Sequence, residues 1–97
     1  MFEIKFTDQA IADLKLLKRA DRRSILSKLE TQLIDEPTAE TRNRKKLRPN
    51  QLAEWELRLG NFRIFYDVDQ DHGLLKIQTV GHKAGSRLII QGKEYKL

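Results

Sequence analysis

Glu54-Trp55-Glu56-Leu57-Arg58-Leu59-Gly60-Asn61-Phe62-Arg63-Ile64-Phe65-Tyr66-Asp67-Val68 is the stretch that decides the fold. Apolar and polar residues alternate on both sides of Gly60-Asn61, the pattern of two strands that each bury one face. Gly-Asn is a two-residue hairpin signal, because primed turns need positive φ, which both residues tolerate. With that loop, Leu59 opposes Phe62, Arg58 opposes Arg63, Leu57 opposes Ile64 and Trp55 opposes Tyr66. Trp55, Leu57, Leu59, Phe62, Ile64, Tyr66 and Val68 then share a core face. Arg58 and Arg63 sit side by side on the other, with Glu54, Glu56 and Phe65. Like charges directly opposed in a sheet are destabilising. Two cations kept together point to a bound anion.

Working outward, Phe2, Ile4 and Phe6 alternate with Glu3 and Lys5, which predicts a first strand and does not resemble a signal peptide. Thr7 or Asp8 caps a helix that carries Ile11, Leu14 and Leu17 to about Arg19. Asp21 caps a second helix with the stripe Ile25, Leu26, Leu29, Leu33 and Ile34, and Pro37 ends it. A one- or two-residue joint makes the pair an antiparallel hairpin whose stripes cover the sheet. Thr38 to Asn50 is polar, and Arg42, Arg44, Lys45, Lys46 and Arg48 fall within seven residues without an acid. It reads as a solvated basic segment leading into the strand that bears Arg58. Beyond the Asp69–Gly73 turn come a strand over Leu74 to Val80, a loop over Gly81 to Ser86, and a short terminal strand or hairpin. The class is α+β, two helices on one face of a mostly antiparallel sheet, as one domain over 1–97.

Composition narrows the function. Hydrophobic residues at 39% and charged residues at 34% describe a globular chain, with no run long enough to span a bilayer. Zero cysteines exclude a disulfide framework and fit a reducing cytoplasm. The formal charge of +5 favours an anionic partner, nucleic acid or an acidic protein. His72 and His82 are the only histidines, and neither has ligand spacing; the acidic turn Asp67 to Asp71 lacks the Gly and closing Glu of a calcium loop. No metal and no cofactor is expected. The chemistry available is cationic: the planar forks of Arg58 and Arg63 suit phosphate oxygens. Phe65 on the same face suits stacking on a base or, equally, cover by the C-terminal segment, and His82-Lys83 lies in a loop over the sheet.

These residues together resemble the RelE/ParE superfamily of type II toxin–antitoxin toxins. The resemblance runs over the first strand and helical hairpin, Lys45-Lys46-Leu47-Arg48, Trp55 to Tyr66, and Val80-Gly81-His82-Lys83. It implies a metal-independent endoribonuclease that cuts mRNA on the ribosome and blocks translation. A ribose 2′-hydroxyl attacks the neighbouring phosphate while basic side chains hold it. By position, Arg63 is the phosphate clamp, Arg58 a second cation, Lys83 a third where the family usually has arginine, and His82 an acid or base. Arg42, Arg44, Lys45, Lys46, Arg48 and Phe65 are the expected RNA contacts. The tyrosine that RNA-cutting members often carry past the basic position is missing from Ala84 to Ile90, and Tyr95 replaces it only if the tail folds back over the sheet. Glu54 and Glu56 stand where such members often have lysines. The alternative the resemblance implies is a ParE-like, non-enzymatic inhibitor of DNA gyrase, or a module acting only through antitoxin and DNA binding. Every version implies a cognate antitoxin partner, operator DNA for the toxin–antitoxin complex, and no membrane.

Overall fold

The computed structural model describes residues 2–34 and 36–96. The order is β1 (Glu3–Phe6), α1 (Asp8–Lys15), α2 (Arg19–Leu33), β2 (Arg44–Lys46), β3 (Trp55–Leu59), β4 (Phe62–Asp69), β5 (Leu74–Ala84), β6 (Arg87–Ile90) and β7 (Lys93–Tyr95). The sheet runs β2-β3-β4-β5-β6-β7 through antiparallel neighbours, and β1 joins β5 in parallel. The β3–β4 register is the one the alternation dictates, with Arg58 opposite Arg63 and Trp55 opposite Tyr66. Within the turn only Gly60 takes a positive φ, 58°, while Asn61 does not, so one of the two residues carries the reversal.

Alternation sends one face of the hairpin to the helices. Leu57, Ile64 and Tyr66 are fully buried there with Leu29 and Leu33 of α2 and Ala10 of α1. Trp55 stacks on Tyr66 with ring centroids 6.3 Å apart. The Tyr66 hydroxyl donates to the buried Pro37 carbonyl at 2.6 Å, tying the end of the helical segment to mid-sheet. Thr7 caps α1, its hydroxyl accepting from the Ala10 N–H at 3.0 Å.

The structure corrects several boundaries. The first helix ends at Lys15, not near Arg19, because Leu16 and Leu17 close a tight turn on the Asp13 and Leu14 carbonyls. The joint is therefore 16–18, and α2 starts at Arg19 with Lys18 in the cap position and no side-chain cap. Asp21 is not the cap; it sits in the first turn, where its charge still favours the helix dipole. Ile11 and Leu26, assigned to the stripes, are 42% and 38% exposed, and the adjacent Ala10 and Ile25 face the sheet instead. The basic segment is not wholly solvated, since Arg44–Lys46 pairs with β3 as an edge strand. Lysines at an edge discourage further strand addition, which explains the polar composition. The expected loop over Gly81 to Ser86 shrinks to a turn at Gly85 and Ser86: β5 continues through Ala84, and the Lys83 N–H donates to the Asn61 carbonyl at 2.8 Å.

The extension of β5 lets β6 and β7 curl over the sheet face away from the helices. Leu88, Ile90 and Tyr95 pack with Leu47, Leu52 and Ala53 around Phe65, a second small core. Gly81 permits this approach. A Cβ at that position would lie 2.8 Å from the Ile89 carbonyl oxygen and 2.9 Å from Ile90 Cγ1.

Two outcomes follow from these contacts. Gly81→Ala should cost about 1–3 kcal/mol through overpacking. Thermal melting should show the loss and hydrogen exchange should localise it to 87–95. Burial pushes the Tyr66 hydroxyl well above the usual tyrosine range, outweighing the opposing charge of Arg44. The folded state thus holds this proton more tightly than the unfolded chain, so the contribution is full below about pH 10 and declines as pH rises towards the raised folded value. Tyr66→Phe should leave the Pro37 carbonyl without its donor, cost about 1–3 kcal/mol at neutral pH, and remove that alkaline slope from denaturant melts.

Candidate functional site

The face opposite the helices carries a cleft of about 520 Å³ lined by Lys45, Lys46, Leu47, Arg48, Pro49, Asn50, Glu56, Arg58, Arg63 and Lys83. Six cations from four strands and one loop thus surround a single carboxylate. Strand parity explains the gathering. Lys45 opposes Glu56 on β2–β3, Arg58 opposes Arg63 on β3–β4, and Arg63 opposes Gly81 on β4–β5, two residues from Lys83. Because Gly81 has no side chain, it leaves room beside Arg63 for the returning β6.

Arg63 is the anchor of the cleft. It is only 8% exposed, and its Nη1 donates to the Gly60 carbonyl at 2.8 Å and the Phe62 carbonyl at 2.9 Å. Those bonds fix the guanidinium against the turn, while the buried Nε has no hydrogen-bond partner among the described residues. Burial lowers its pKa, and the neighbouring Arg58 lowers it further against the opposing pull of Glu56. An arginine still stays charged under such pressure. Arg58 is exposed and Lys83 half-buried. Among the described residues none of these six cations forms an ion pair. Glu56, buried at 7% exposure, forms none either, so the carboxylate stands among positive charges without being locked to one.

Several expected residues lie elsewhere. His82 opposes Phe62, which faces the helices, so alternation points it away from Arg63 and Lys83. Its anticipated role as acid or base in the cleft is corrected by that parity. Phe65 is completely buried in the second core and offers no ring to a base, because the C-terminal hairpin and residues 47–53 cover it. Arg44 opposes Leu57 on the helix side, and its guanidinium donates to the Gln32 carbonyl at 3.1 Å and to the Glu36 carbonyl. It closes the end of α2 rather than reaching for RNA. Arg42 is exposed beside it, outside the cleft lining.

Three residues contribute in ways that the sequence alone leaves open. Glu56 falls on the expected face by alternation, but the sequence marks it only as an acid where the family often has lysine. Asn50, read as punctuation, organises the loop that walls the cleft. Its side-chain oxygen accepts from the Leu52 and Ala53 N–H groups at 2.7 and 3.1 Å, and its amide donates to the Arg48 and Ala53 carbonyls at 2.7 and 2.9 Å. Tyr95 does fold back over the sheet and lines a cavity together with Glu56 and Lys83. Only the tertiary path of the tail could have shown that.

A helical hairpin on an antiparallel sheet, with a cationic cleft on the face away from the helices, is the build of a RelE/ParE-superfamily toxin. Residues 4–86 match the model of the family described as ParE toxin of type II toxin-antitoxin system, parDE, and the chain belongs to that family. The fold is also similar to that in the crystal structure of the RelBE2 toxin–antitoxin complex from Mycobacterium tuberculosis. There the TM-score is 0.73 at 27% identity, over 84% of this chain and 98% of that one. The archaeal RelE–RelB complex from Pyrococcus horikoshii OT3 shares the fold with a TM-score of 0.65 at 22% identity, over 81% of this chain and 91% of that one. Comparison with curated proteins finds no match.

Asn50→Ala should free the loop it caps. The Leu52 and Ala53 amides should exchange faster, with a stability loss of about 1 kcal/mol from the lost hydrogen bonds.

Proposed function

We propose that this toxin is a metal-independent endoribonuclease that cuts mRNA on the ribosome. The observation that carries the reading is the convergence of six cations on one buried carboxylate, none of them ion-paired among the described residues. A cleft of that kind suits a transition state that gains negative charge on phosphate while losing a proton from sugar. In that reaction Glu56 takes the proton from a ribose 2′-hydroxyl. The 2′-oxygen attacks the adjacent phosphorus, and the P–O5′ bond breaks. The products are a 2′,3′-cyclic phosphate and a 5′-hydroxyl, whose proton comes from Lys83 or from water. Arg58 and Arg63 hold the equatorial oxygens; the bonds of Arg63 to the turn pre-orient its remaining donors. Lys45, Lys46 and Arg48 track the phosphates on either side.

The partner of such a toxin is an antitoxin with acidic segments that complement the +5 charge. Both structural relatives are toxin–antitoxin complexes, which supports this assignment. Operator DNA is proposed as a ligand of the assembled pair.

A second reading, inhibition of DNA gyrase without catalysis, is favoured by the turn of His82 to the far face and by a carboxylate in the path of phosphate. One experiment separates the two. After induction without antitoxin, mRNA 5′ ends are mapped within minutes, with and without a block to translation initiation. Translation-dependent cuts are expected. Glu56→Gln should lower the cleavage rate by about 10²–10⁴ and Arg58→Ala by about 10²–10³, with folding intact by circular dichroism. Intact transcripts together with DNA damage would instead establish the gyrase reading.

A further inference from the structure

Asp67 stands on β4 just past the end of the β3–β4 ladder, which closes with Trp55 opposite Tyr66. Alternation puts it on the same side of the sheet as Arg63 and Phe65. Both of its carboxylate oxygens are used. Oδ1 accepts from the Glu54 N–H at 2.7 Å, and Oδ2 accepts from the Gln78 side-chain amide at 2.9 Å. Gln78 is the extra residue of a bulge on β5: Phe65 pairs with Thr79 and Tyr66 with Ile77, so Gln78 faces no residue of β4. Its carbonyl accepts from the Thr7 hydroxyl at 2.8 Å, the same hydroxyl that caps α1.

The Glu54 peptide is the base of the loop that walls the cleft. Its N–H goes to Asp67, and its carbonyl accepts from the Leu47 N–H at 2.8 Å, which closes residues 47–54 into a ring. That loop carries Arg48 and follows Lys46, two of the cations of the cleft. The apolar side chains of Leu47, Leu52 and Ala53 rest on the Phe65 cluster. The polar base of the loop borders a cavity of about 590 Å³ lined by residues 46–54 with Asp67 and Gln78. Along that border hydrogen bonds, rather than packing, fix the backbone.

We propose that Gln78 and Asp67 are positioning residues for the cleft, holding the wall loop so that Lys46 and Arg48 meet the phosphates of the substrate already ordered. The role rests on the endoribonuclease reading of the cleft. Neither side chain belongs to the cleft lining, so both act through the Glu54 peptide and not on RNA. A carboxylate that accepts a backbone N–H makes a stronger hydrogen bond than a neutral acceptor does. The bulge aims the Gln78 amide at that carboxylate, a common use of bulges beside functional sites. A loop ordered before binding spares the complex the entropy of ordering it afterwards. Loss of the pair therefore weakens substrate capture, while Glu56, Arg58 and Arg63 keep their places in the β3–β4 ladder.

The test is cleavage of a defined mRNA on translating ribosomes by the full chain. KM and kcat are measured for the wild type, for Asp67→Ala and for a paired exchange, Asp67→Asn with Gln78→Glu. In the exchange the new amide keeps an oxygen for the Glu54 N–H and donates to the new carboxylate, so the same bonds form with one of them reversed. Asp67→Ala should raise KM roughly 5- to 30-fold and leave kcat within about 2-fold. The exchange should recover most of the lost KM. A merely structural role would move a different quantity, since a partly unfolded population lowers apparent kcat and leaves KM alone. Asp67→Ala with the KM of the wild type would overturn the proposal while leaving the nuclease reading intact. An exchange as defective as Asp67→Ala would do the same. A wild type that leaves mRNA uncut would remove the nuclease reading and this role together. Should thermal melting show Asp67→Ala unfolded, Gln78→Ala takes its place, deleting one donor and keeping the carboxylate. KM must then rise by at least about 2-fold, and an unaltered value would overturn the proposal.

Discussion

Everything in this molecule hangs on how the outer edge of β5 is satisfied. One edge of that strand is paired to β4 along its length. The other is shared by three different neighbours. Parallel β1 takes Leu74 to Ile77, antiparallel β6 takes His82 to Ala84, and α1 serves the gap between them. The Thr7 hydroxyl donates to the Gln78 carbonyl at 2.8 Å, and the buried Asp13 carboxylate accepts from the Val80 N–H at 2.9 Å and from the Gln9 amide at 2.9 Å. Backbone groups in a buried position must find partners. Here a helix supplies them with side chains where no strand can reach. That arrangement docks α1 and lets β5 run far enough to present Lys83.

The two faces of the sheet answer different demands. Towards the helices, apolar residues from four strands and both helices pack tightly, and the polar Tyr66 hydroxyl has its acceptor. On the other face a cap of apolar residues around Phe65 adjoins a cluster of cations without an ion pair among the described residues. Opposed arginines at Arg58 and Arg63 weaken the hairpin they sit on. The turn carbonyls that hold Arg63 offset part of that cost without neutralising its charge. The fold thus carries a standing repulsion that an anion relieves, which is how binding energy becomes available to a ligand.

Elements that bury one complete face were legible in the sequence. The β3–β4 hairpin and its register followed from strict alternation, the helix pair from its stripes, and Arg58 and Arg63 fell on one side by parity, while Lys83 joined them through the family resemblance alone. What stayed hidden depends on partners distant in the chain. The edge strand β2 has no apolar period of its own, because β3 alone defines it. The continuation of β5 through Gly81 looked like a loop, since a glycine there signals flexibility unless the close approach of β6 is known. His82 and Phe65 were misplaced for related reasons. One was read from a loop that is a strand, and the other lies on a face whose cover depends on the path of the C-terminal segment.

Parallel pairing of β1 with β5 also bears on how the toxin comes into being. The bond from Thr7 to Gln78 joins residues 71 apart, and the first strand has no other strand to lie against among the described residues. Contacts so distant close slowly, and the N-terminal segment must wait for β5 before it can dock. Synthesis proceeds at about 5–20 residues per second, so a nascent chain spends seconds with its first strand unpaired. The cleft is completed later still, when Lys83 and the strands around it have emerged. Assembly of the cationic surface is therefore among the last events in the life of the nascent chain.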